Sequence, residues 1–280
     1  MFATTSSGHA DVLGTAAVVV VALMVGTWLV SLVIGDASIV DIVWGAGFVA
    51  VAWASAAVGD GDPDRSALLV ALVTIWGLRL AGYLWWRNHG RGEDWRYRAM
   101  RKRHGDAFAI RSLVTVFGLQ GLLMWIVSLP VQLAMTPTEP AGIGPLAVVG
   151  VVVWAVGFFF ETVGDAQLAR FKADPANEGR VMDRGLWRFT RHPNYFGDFC
   201  VWWGIFCVAA ETPDARWGVI GPVVMSVLLL RVSGVPLLER SLRRRRPDYE
   251  AYAARTAAFF PRPPRPTPPG TDADPTTPES

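Results

Sequence analysis

The sequence predicts an all-α, polytopic membrane protein with about seven transmembrane helices. Of its 280 residues, 52% are hydrophobic and only 18% are charged, and the mean hydropathy is +0.32. Apolar runs of about twenty residues, the length that crosses the hydrocarbon core of a bilayer, recur along the chain. A soluble domain of this length would instead show shorter, amphipathic patterns.

Each predicted span corresponds to one apolar run. The runs cover residues 11–34, 39–58, 66–86, 112–135, 145–168, 194–210 and 217–238. No basic segment precedes the first run, which is also long for a signal-peptide core, so we interpret it as a retained helix. We divide the chain into an N-terminal segment (1–10), a membrane domain (11–260) and a Pro/Thr-rich tail (261–280) that we expect to be disordered.

Basic residues predict the orientation of these spans. Most of the 26 Lys and Arg residues lie in residues 87–111, in residues 169–191 and in the segment after the last span. If the spans alternate in direction, these three segments share one face, whereas the opposite loops hold only Arg65 and Arg216. The positive-inside rule then places the N-terminus outside and the C-terminus in the cytoplasm, in the inner (plasma) membrane of the cell.

Ionisable side chains inside predicted spans are the first candidates for function, because each costs about 2.5–3.5 kcal/mol on insertion scales. They are Asp41, Arg79, Glu161, Asp165, Asp198, Arg231 and Glu239. On the predicted topology all of them lie towards the cytoplasmic side. Ion pairs between helices would explain any one pair, for example Arg231 with Asp198. A charged cavity open to the cytoplasm explains the whole set together with the polar loops beside it.

The first polar loop, WWRNHGRGEDWRYRAMRKRHG, covers residues 85–105 and places Gly90 and Gly92 on either side of Arg91. Glycine lets the backbone approach a ligand closely, and the planar guanidinium fits a phosphate group. The basic end of the loop, RAMRKRH, is typical of a surface that meets anionic membrane lipids. Lipid binding does not require the other polar and glycine residues of the loop, including its GED motif; they are Asn88, Gly90, Gly92, Glu93, Asp94 and Tyr97. We therefore expect this half of the loop to contact a ligand.

The second polar segment, RGLWRFTRHPNYFGDFCVWWG, leads into the sixth predicted span. Pro193 suits the first turn of a helix, which places His192 at the cap, where its side chain could serve for capping alone. Asn194 and Asp198 are four residues apart and share a helix face, while the helix N-terminus offers N–H groups to an anion. The nearby cationic side chains are those of Arg180, Arg188 and Arg191. These features predict a site for a multiply phosphorylated ligand or another polar nucleotide cofactor.

Other residue types point away from metal and disulfide chemistry. Cys200 and Cys207 lie on one helix face in an apolar run, which is typical of buried packing residues. The histidines are too dispersed for a metal site. They are His9, His89, His104 and His192. We therefore predict no metal, and we do not expect a nucleic-acid partner.

The polar segments also carry a family resemblance. The chain resembles the bacterial membrane proteins grouped with steroid 5α-reductases (3-oxo-5-alpha-steroid 4-dehydrogenases). The motifs concerned are RxxGRGED, ETVGDAQLARFK, GLWRFTRHPNYFGDFCVWWG and LLERSLRRRRPDYEAYAARTAAFFP, and the resemblance extends from about Asp41 to Pro261. The HPNY-type segment is shared with sterol reductases and isoprenylcysteine carboxyl methyltransferases, so it marks the superfamily. Residues 88–94 together with residues 161–165 are more specific to the reductase branch.

The resemblance implies a seven-helix fold that holds NADPH in a cytoplasmic cavity and reduces an activated carbon–carbon double bond. Matched position by position, the cofactor contacts would be Asn88, Arg91, Asp165, Lys172, Arg180, Asn194, Asp198, Trp202 and Arg231. The polar residues around the start of the sixth predicted span add Arg188, Arg191, His192 and Tyr195.

Catalysis in the family depends on a carboxylate of the second helix and a tyrosine of the third, which polarise the substrate carbonyl. Asp41, in SIVDIVWG, supplies the carboxylate. The third helix, TIWGLRLAGYLWW, departs from the pattern, with Trp76 and Gly77 near the expected place, Arg79 two residues on and Tyr83 further along. We expect Asp41, protonated if desolvated, and Arg79 to stabilise enolate charge, with Tyr83 as a further catalytic candidate. The substrate would be a hydrophobic steroid or lipid that enters from the bilayer.

Two other functions are compatible with the same residues. Methyl transfer from S-adenosylmethionine to a lipidic substrate would use the HPNY-type segment, but it needs fewer phosphate-binding arginines than Arg91 and Arg180 provide. A transporter would also place charges inside the membrane, but discontinuous helices and symmetric halves are not evident in the sequence.

Overall fold

A computed structural model describes residues 5–232 and 234–265, and this part of the chain is helical, without strands. Residues 266–280, which form most of the predicted tail, and the first four residues lie outside the described part. The α-helices are α1 (Thr5–Ile34), α2 (Ile39–Val58), α3 (Pro63–Asn88), α4 (Trp95–His104), α5 (Phe108–Ser112), α6 (Leu119–Val127), α7 (Leu129–Ala134), α8 (Pro145–Ala173), α9 (Pro193–Ala209), α10 (Ile220–Val227), α11 (Val235–Arg245) and α12 (Tyr249–Arg255). Short π-helical turns cover Leu113–Gly118 and Leu228–Val232, and 3₁₀ turns cover Gly105–Ala107, Pro175–Asn177, Gly185–Arg188 and Pro213–Val219.

Six helical segments of the described chain are long and apolar enough to cross a membrane, which indicates a multi-pass membrane protein. They are Gly8–Ile34, Ile39–Val58, Pro63–Asn88, Trp95–Val127, Pro145–Ala173 and Pro213–Arg245. The remaining predicted span, residues 194–210, corresponds to α9, which has 17 residues. A helix of that length rises about 26 Å, less than the ~30 Å hydrocarbon core. The count of about seven spans and the orientation stay predictions.

Proline residues interrupt two of the predicted spans. The run predicted at 112–135 is broken at Ser128, because Pro130 stands in the first turn of α7 and has no backbone N–H to donate. The run predicted at 217–238 consists of a 3₁₀ turn, α10, a π-helical turn and the start of α11, whose first turn contains Pro236. Proline suits a first turn and disrupts a helix interior, so a new helix begins at each of these points.

Internal contacts divide the chain into two compact units. The first consists of Met1–Ala155 and Val201–Ser226, and the second of Val156–Cys200 and Val227–Ser280, as far as these ranges are described. The predicted membrane domain of residues 11–260 contains parts of both.

The core of the first unit lies where α2 and α3 meet. Gly45 and Gly77 approach so closely that a Cβ at either would lie 2.5 or 2.6 Å from the carbonyl oxygen of the other. Beside this contact, the buried rings of Phe48, Trp76 and Trp202 have centroids 4.6 to 5.6 Å apart. Small residues that let backbones approach, together with dispersion between rings, replace the hydrophobic effect that is missing between helices in lipid.

A buried cation anchors the start of α3. Arg65 has no exposed surface and donates from its guanidinium to the carbonyl oxygens of Pro137 and Pro140. Asp62 caps the helix by accepting from the Arg65 backbone N–H, and it also accepts from the Gly142 N–H. These backbone hydrogen bonds hold the pKa of Asp62 below its ordinary value, despite partial burial. Arg65, which the count of basic residues placed in a loop between predicted spans, therefore anchors the start of α3 through buried hydrogen bonds.

In the second unit, α9 packs on the C-terminal part of α8. A Cβ at Gly197 would lie 2.5 Å from the Gly157 carbonyl oxygen, which shows how close the two backbones are. The buried Trp187, in the segment before α9, donates from Nε1 to the Gly164 carbonyl at 3.0 Å.

The chain after α12 returns along the same segment. The Arg191 N–H donates to the Ala257 carbonyl at 2.9 Å, and the Tyr252 hydroxyl donates to the Trp187 carbonyl at 2.6 Å. The polar segment before α9 is therefore held from both sides within this unit.

Substituting Gly77 by alanine is expected to destabilise the protein by about 1–3 kcal/mol, because the added methyl group overpacks the α2–α3 contact. The matched control is Gly82→Ala on the same helix, where nothing outside the helix backbone lies within 4 Å of the added Cβ. Alanine favours a helix interior by about 0.5–1 kcal/mol over glycine. Thermal unfolding in detergent measures both variants, and equal midpoints would show that the Gly45–Gly77 contact does not limit packing.

Candidate functional site

The second unit contains a cavity of about 470 Å³, a volume typical of small-molecule and cofactor sites. We call it the basic cavity. Its basic lining residues are Lys172, Arg180, Arg191 and Arg246, and its acidic ones are Asp174 and Glu178. Its aromatic lining residues are Phe171, Trp187, Tyr249 and Tyr252. An excess of cationic groups beside aromatic rings suits an anionic ligand that also carries flat rings.

Local structure explains how the cationic residues reach one cavity. Asp174 caps the 3₁₀ turn Pro175–Asn177 through its carboxylate. Gly179 then adopts φ +82°, a left-handed conformation that glycine reaches without strain, and the chain turns into Arg180. Arg246 is the C-cap residue that follows α11. Arg180 and Arg246 therefore reach the cavity from a turn and from the end of a helix, where the backbone changes direction.

The aromatic wall includes Tyr249 and Tyr252, one turn apart on α12 with ring centroids 6.0 Å apart. Burial raises the pKa of both phenols, so both side chains are neutral at physiological pH. The motif RRRRPDYEAYAAR contributes to the family resemblance, but none of its side chains was among the predicted site residues. The signal was the spacing of the two tyrosines, which puts them on one face of a helix.

Arg191 and His192 share one carboxylate. Glu239 Oε1 lies 3.2 Å from Arg191 Nε and 3.2 Å from His192 Nε2. The His192 ring is fully buried and stacks on Tyr195, with centroids 5.5 Å apart and an angle of 13° between the planes. Burial lowers the pKa of His192, while the hydrogen bond with Glu239 opposes that shift. Glu239, predicted only as an intramembrane charge, thus orients two residues of the predicted site.

Two predicted cofactor residues meet between α8 and α9. Asn194 Nδ2 donates to Asp165 Oδ1 at 3.4 Å, and Asp165 is only 5% exposed. Glu161, one turn earlier on α8, is also buried. The Asn194 Oδ1 atom is buried with no hydrogen-bond partner among the described residues. Buried acceptors are normally satisfied, so this atom favours a ligand that donates a hydrogen bond.

Other predicted cofactor residues lie elsewhere. Arg188 and Arg231 are exposed, and neither lines the basic cavity. Asp198 follows Asn194 by one turn on α9. Trp202 belongs to the first unit, where its ring is fully buried against Phe48 and Trp76. In this structure Trp202 is a core side chain.

In the first unit, Asp41 is the centre of a polar cluster. Its carboxylate lies 2.6 Å from Arg96 Nη2 and accepts a hydrogen bond from the Tyr97 hydroxyl at 2.8 Å. Gln120 Nε2 donates to the same hydroxyl oxygen at 3.2 Å. Tyr97 is only 5% exposed. Sequence reasoning singled out Asp41 and, separately, Tyr97 of α4, but it did not join them and gave no role to Arg96 of α4 or Gln120 of α6.

The loop before α4 is held by its own acidic residues. Glu93 accepts from the Ala37 N–H at 2.9 Å and pairs with Arg101 at 2.8 Å. Partial burial would raise the pKa of Glu93, but the hydrogen bonds from Arg101 and Ala37 lower it below the ordinary value. Asp94 caps α4 and accepts from Arg96, which also lowers the pKa of this carboxyl although burial opposes the shift. Glu93 and Asp94 of the GED motif therefore hold this loop in place.

The same loop contains two glycines and the predicted cofactor residues Asn88 and Arg91. Gly90 and Gly92 adopt φ +73° and +68°, so the backbone itself requires glycine at both positions. Asn88 accepts from Arg87 Nε at 3.1 Å, and Arg91 is exposed.

The remaining catalytic candidates lie on α3. Arg79 and Tyr83 are one turn apart, and the Arg79 guanidinium lies 5.4 Å from the centre of the Tyr83 ring. Arg87 lies 5.7 Å from the same ring. Cations at these distances contact the face of the ring.

The first unit also contains an apolar cavity of about 320 Å³ between α1 and the segment from the π-helical turn to α6. Its lining includes Val20, Met24, Phe117, Gly121 and Trp125. Turns of π-helix inside α-helices are frequent at functional sites. Gln120, which donates to Tyr97, precedes the lining residue Gly121 on α6.

Together these features define a helical, multi-pass membrane protein with a basic, aromatic-lined cavity. The chain belongs to the family described as "Protein of unknown function (DUF1295)", whose model matches residues 27–256.

Two relatives match parts of the chain. An uncharacterized protein of Schizosaccharomyces pombe is 25% identical over 224 residues, which are 71% of this chain and 64% of the relative. A protein of Ustilaginoidea virens named "Probable O-methyltransferase" is 36% identical over 58 residues, which are 21% of this chain and 20% of that protein. The chain thus spans less than two thirds of the length of either relative. No solved structure matches it significantly.

Acidification below pH 6.5, the ordinary pKa of histidine, is expected to destabilise the protein through His192. Because the folded pKa is lowered, the unfolded chain takes up the proton first, and stability falls as the pH drops through this range. Thermal midpoints between about pH 7.5 and 5.5 should fall less in His192→Gln than in the wild type. His89→Gln, at an exposed position, is the control. An unchanged pH profile in His192→Gln would assign the loss to other groups.

Proposed function

We propose that this protein is an NADPH-dependent membrane reductase that transfers hydride to an activated carbon–carbon double bond of a hydrophobic substrate. The substrate would be a 3-oxo-Δ4 steroid or an enone or enoyl lipid. The basic cavity carries the proposal, because it combines four cationic with four aromatic side chains in about 470 Å³. The motif resemblance to the steroid 5α-reductase group supports the same function. In this proposal the cavity opens to the cytoplasm and the protein resides in the inner membrane.

The residues of the basic cavity fit a phosphorylated dinucleotide. NADPH carries a pyrophosphate and a 2′-phosphate, and Lys172, Arg180 and Arg246 supply cationic donors for such groups. Trp187 offers an aromatic surface for a flat ring. In the same unit, the unpartnered Oδ1 of Asn194 is an acceptor for an amide or amine N–H. When bound, NADPH supplies the hydride, and the protein supplies binding and electrostatics.

The Asp41 cluster is the proposed source of acid catalysis. Hydride addition beside a carbonyl places negative charge on the carbonyl oxygen, which a preorganised donor stabilises. Tyr97 holds its proton at Oη, where it donates to Asp41, and Arg96 neutralises that carboxylate. During the reaction the Tyr97 hydroxyl would donate its hydrogen bond to the substrate oxygen in place of Asp41. Gln120 would keep the Tyr97 ring oriented. Tyr97 would then perform the task that the reductase group gives to a tyrosine of the third helix.

The apolar cavity between α1 and α6 is the proposed entry for the substrate. Its lining contains no charged side chain, and its volume of about 320 Å³ suits part of a steroid or lipid molecule. Gln120 connects this helix to the Tyr97 hydroxyl. Arg79 and Tyr83 on α3 remain a second choice for the acid.

A methyltransferase is the second candidate function. It is favoured by the match to the Ustilaginoidea virens protein, which is 36% identical over 58 residues. S-adenosylmethionine carries one carboxylate and no phosphate, so it offers the cationic side chains of the basic cavity fewer anionic groups than NADPH does.

Titration of the purified protein with NADPH, NADH and S-adenosylmethionine tests the cofactor, with nicotinamide fluorescence and thermal midpoint as readouts. We expect NADPH to bind, and Arg246→Ala to weaken binding about tenfold or more, because one charge-assisted contact is lost. Arg240→Ala is the control, since Arg240 is exposed on α11, which Arg246 follows, and lies outside the cavity lining. Stabilisation by S-adenosylmethionine alone would replace the reductase with the methyltransferase.

Tyr97→Phe is expected to lower turnover about 10²–10⁴-fold without changing NADPH affinity, because it removes the hydroxyl that is the proposed proton donor and Tyr97 does not line the basic cavity. NADPH oxidation in the presence of a panel of 3-oxo-Δ4 steroids and enoyl lipids measures turnover. Asp41→Asn should likewise reduce turnover much more than NADPH binding, and equal losses of both would contradict its assignment. Tyr83→Phe is the comparison, and a larger loss in that variant would place the acid on α3.

A further inference from the structure

The second unit has another cavity, formed by the chain that follows α12, with a volume of about 440 Å³. We call it the arginine cavity. Its basic lining residues are Arg191, Arg255, Arg262 and Arg265, and its lining contains no carboxylate. Alanine, threonine, phenylalanine and proline residues complete the lining. Several guanidinium groups around one space, without an acid among them, create a positive potential that attracts an anion.

Backbone hydrogen bonds build this cavity and leave the arginine side chains free of that task. The Arg265 N–H donates to the Arg255 carbonyl at 2.9 Å, which closes the loop between the two residues. The Arg262 N–H donates to the Phe189 carbonyl at 3.0 Å. The side chains of Arg262 and Arg265 are exposed, so substituting them removes charge without removing a bond that shapes the loop.

Two of the arginines are fixed in place by carboxylates outside the cavity lining. The Arg255 guanidinium pairs with Asp183 at 2.5 Å, and Asp183 does not line the cavity. Arg191 is likewise oriented by Glu239, at 3.2 Å. Two oriented cations and two exposed ones make a site that a phosphate group can enter from solvent or from the membrane surface.

Exposed aromatic side chains indicate the membrane as the source of the phosphate. Phe189 and Phe260 are 41% and 50% exposed, and Phe260 lines the arginine cavity. Arginines beside exposed aromatic rings are typical of segments that lie at a membrane interface. We propose that the arginine cavity binds the phosphate of an anionic lipid headgroup, with these rings in contact with the lipid chains. Soluble phosphates share the same chemistry, and the experiment separates the two sources.

The test uses the purified full-length protein in a neutral detergent. Dioctanoyl phosphatidylglycerol, dioctanoyl phosphatidylcholine and inorganic pyrophosphate are titrated separately, with lipid retention measured by native mass spectrometry. We expect phosphatidylglycerol to bind in preference to the other two. The double variant Arg262→Gln/Arg265→Gln should weaken that binding about tenfold or more.

A matched double variant controls for the loss of charge alone. Arg244→Gln/Arg245→Gln removes the same charge from an exposed part of α11 and should bind phosphatidylglycerol as the wild type does. Equal weakening in both double variants, or none in either, would overturn the site. Binding of pyrophosphate without preference for phosphatidylglycerol would overturn the lipid source. NADPH titration of Arg262→Gln/Arg265→Gln should match the wild type, which separates this site from the proposed cofactor site.

Discussion

A charge buried in a membrane protein must be neutralised by another group of the protein, and this constraint organises both units. Asp41 meets Arg96 across 55 residues of sequence in the first unit. In the second unit Arg191 pairs with Glu239 at 3.2 Å. Removing one partner of such a pair leaves an uncompensated charge, which is far more costly than never having had the pair. The pairs therefore hold distant segments of each unit in one arrangement.

The Asp41 cluster and the basic cavity differ in how completely their charged side chains are paired. Asp41 is satisfied by Arg96 and Tyr97, so its neighbours are held ready without a ligand. The basic cavity has more cationic than acidic lining residues, so its lining carries an excess of positive charge. A site that binds an anion needs an excess of positive charge, whereas a site that positions a proton needs its polar groups paired and oriented.

Local signals predicted much of the helical structure. The span predicted at residues 39–58 has the same bounds as α2, because the apolar run ends just before Gly59, which caps the helix. The interruptions near Pro130 and Pro236 were not predicted, although both prolines are visible in the sequence. A proline is compatible with a kinked span as well as with a new helix, and packing of the neighbouring chain decides between them.

By itself, the sequence determined that this is a helical membrane protein and which short segments gather its polar residues, because hydropathy and residue spacing are properties of the local chain. Only the tertiary structure decided the partners. It paired Glu93 with Arg101, joined Tyr97 to Asp41, and brought Arg246, Tyr249 and Tyr252 to the wall of the basic cavity. These contacts depend on distances between residues far apart in sequence, which no local pattern encodes.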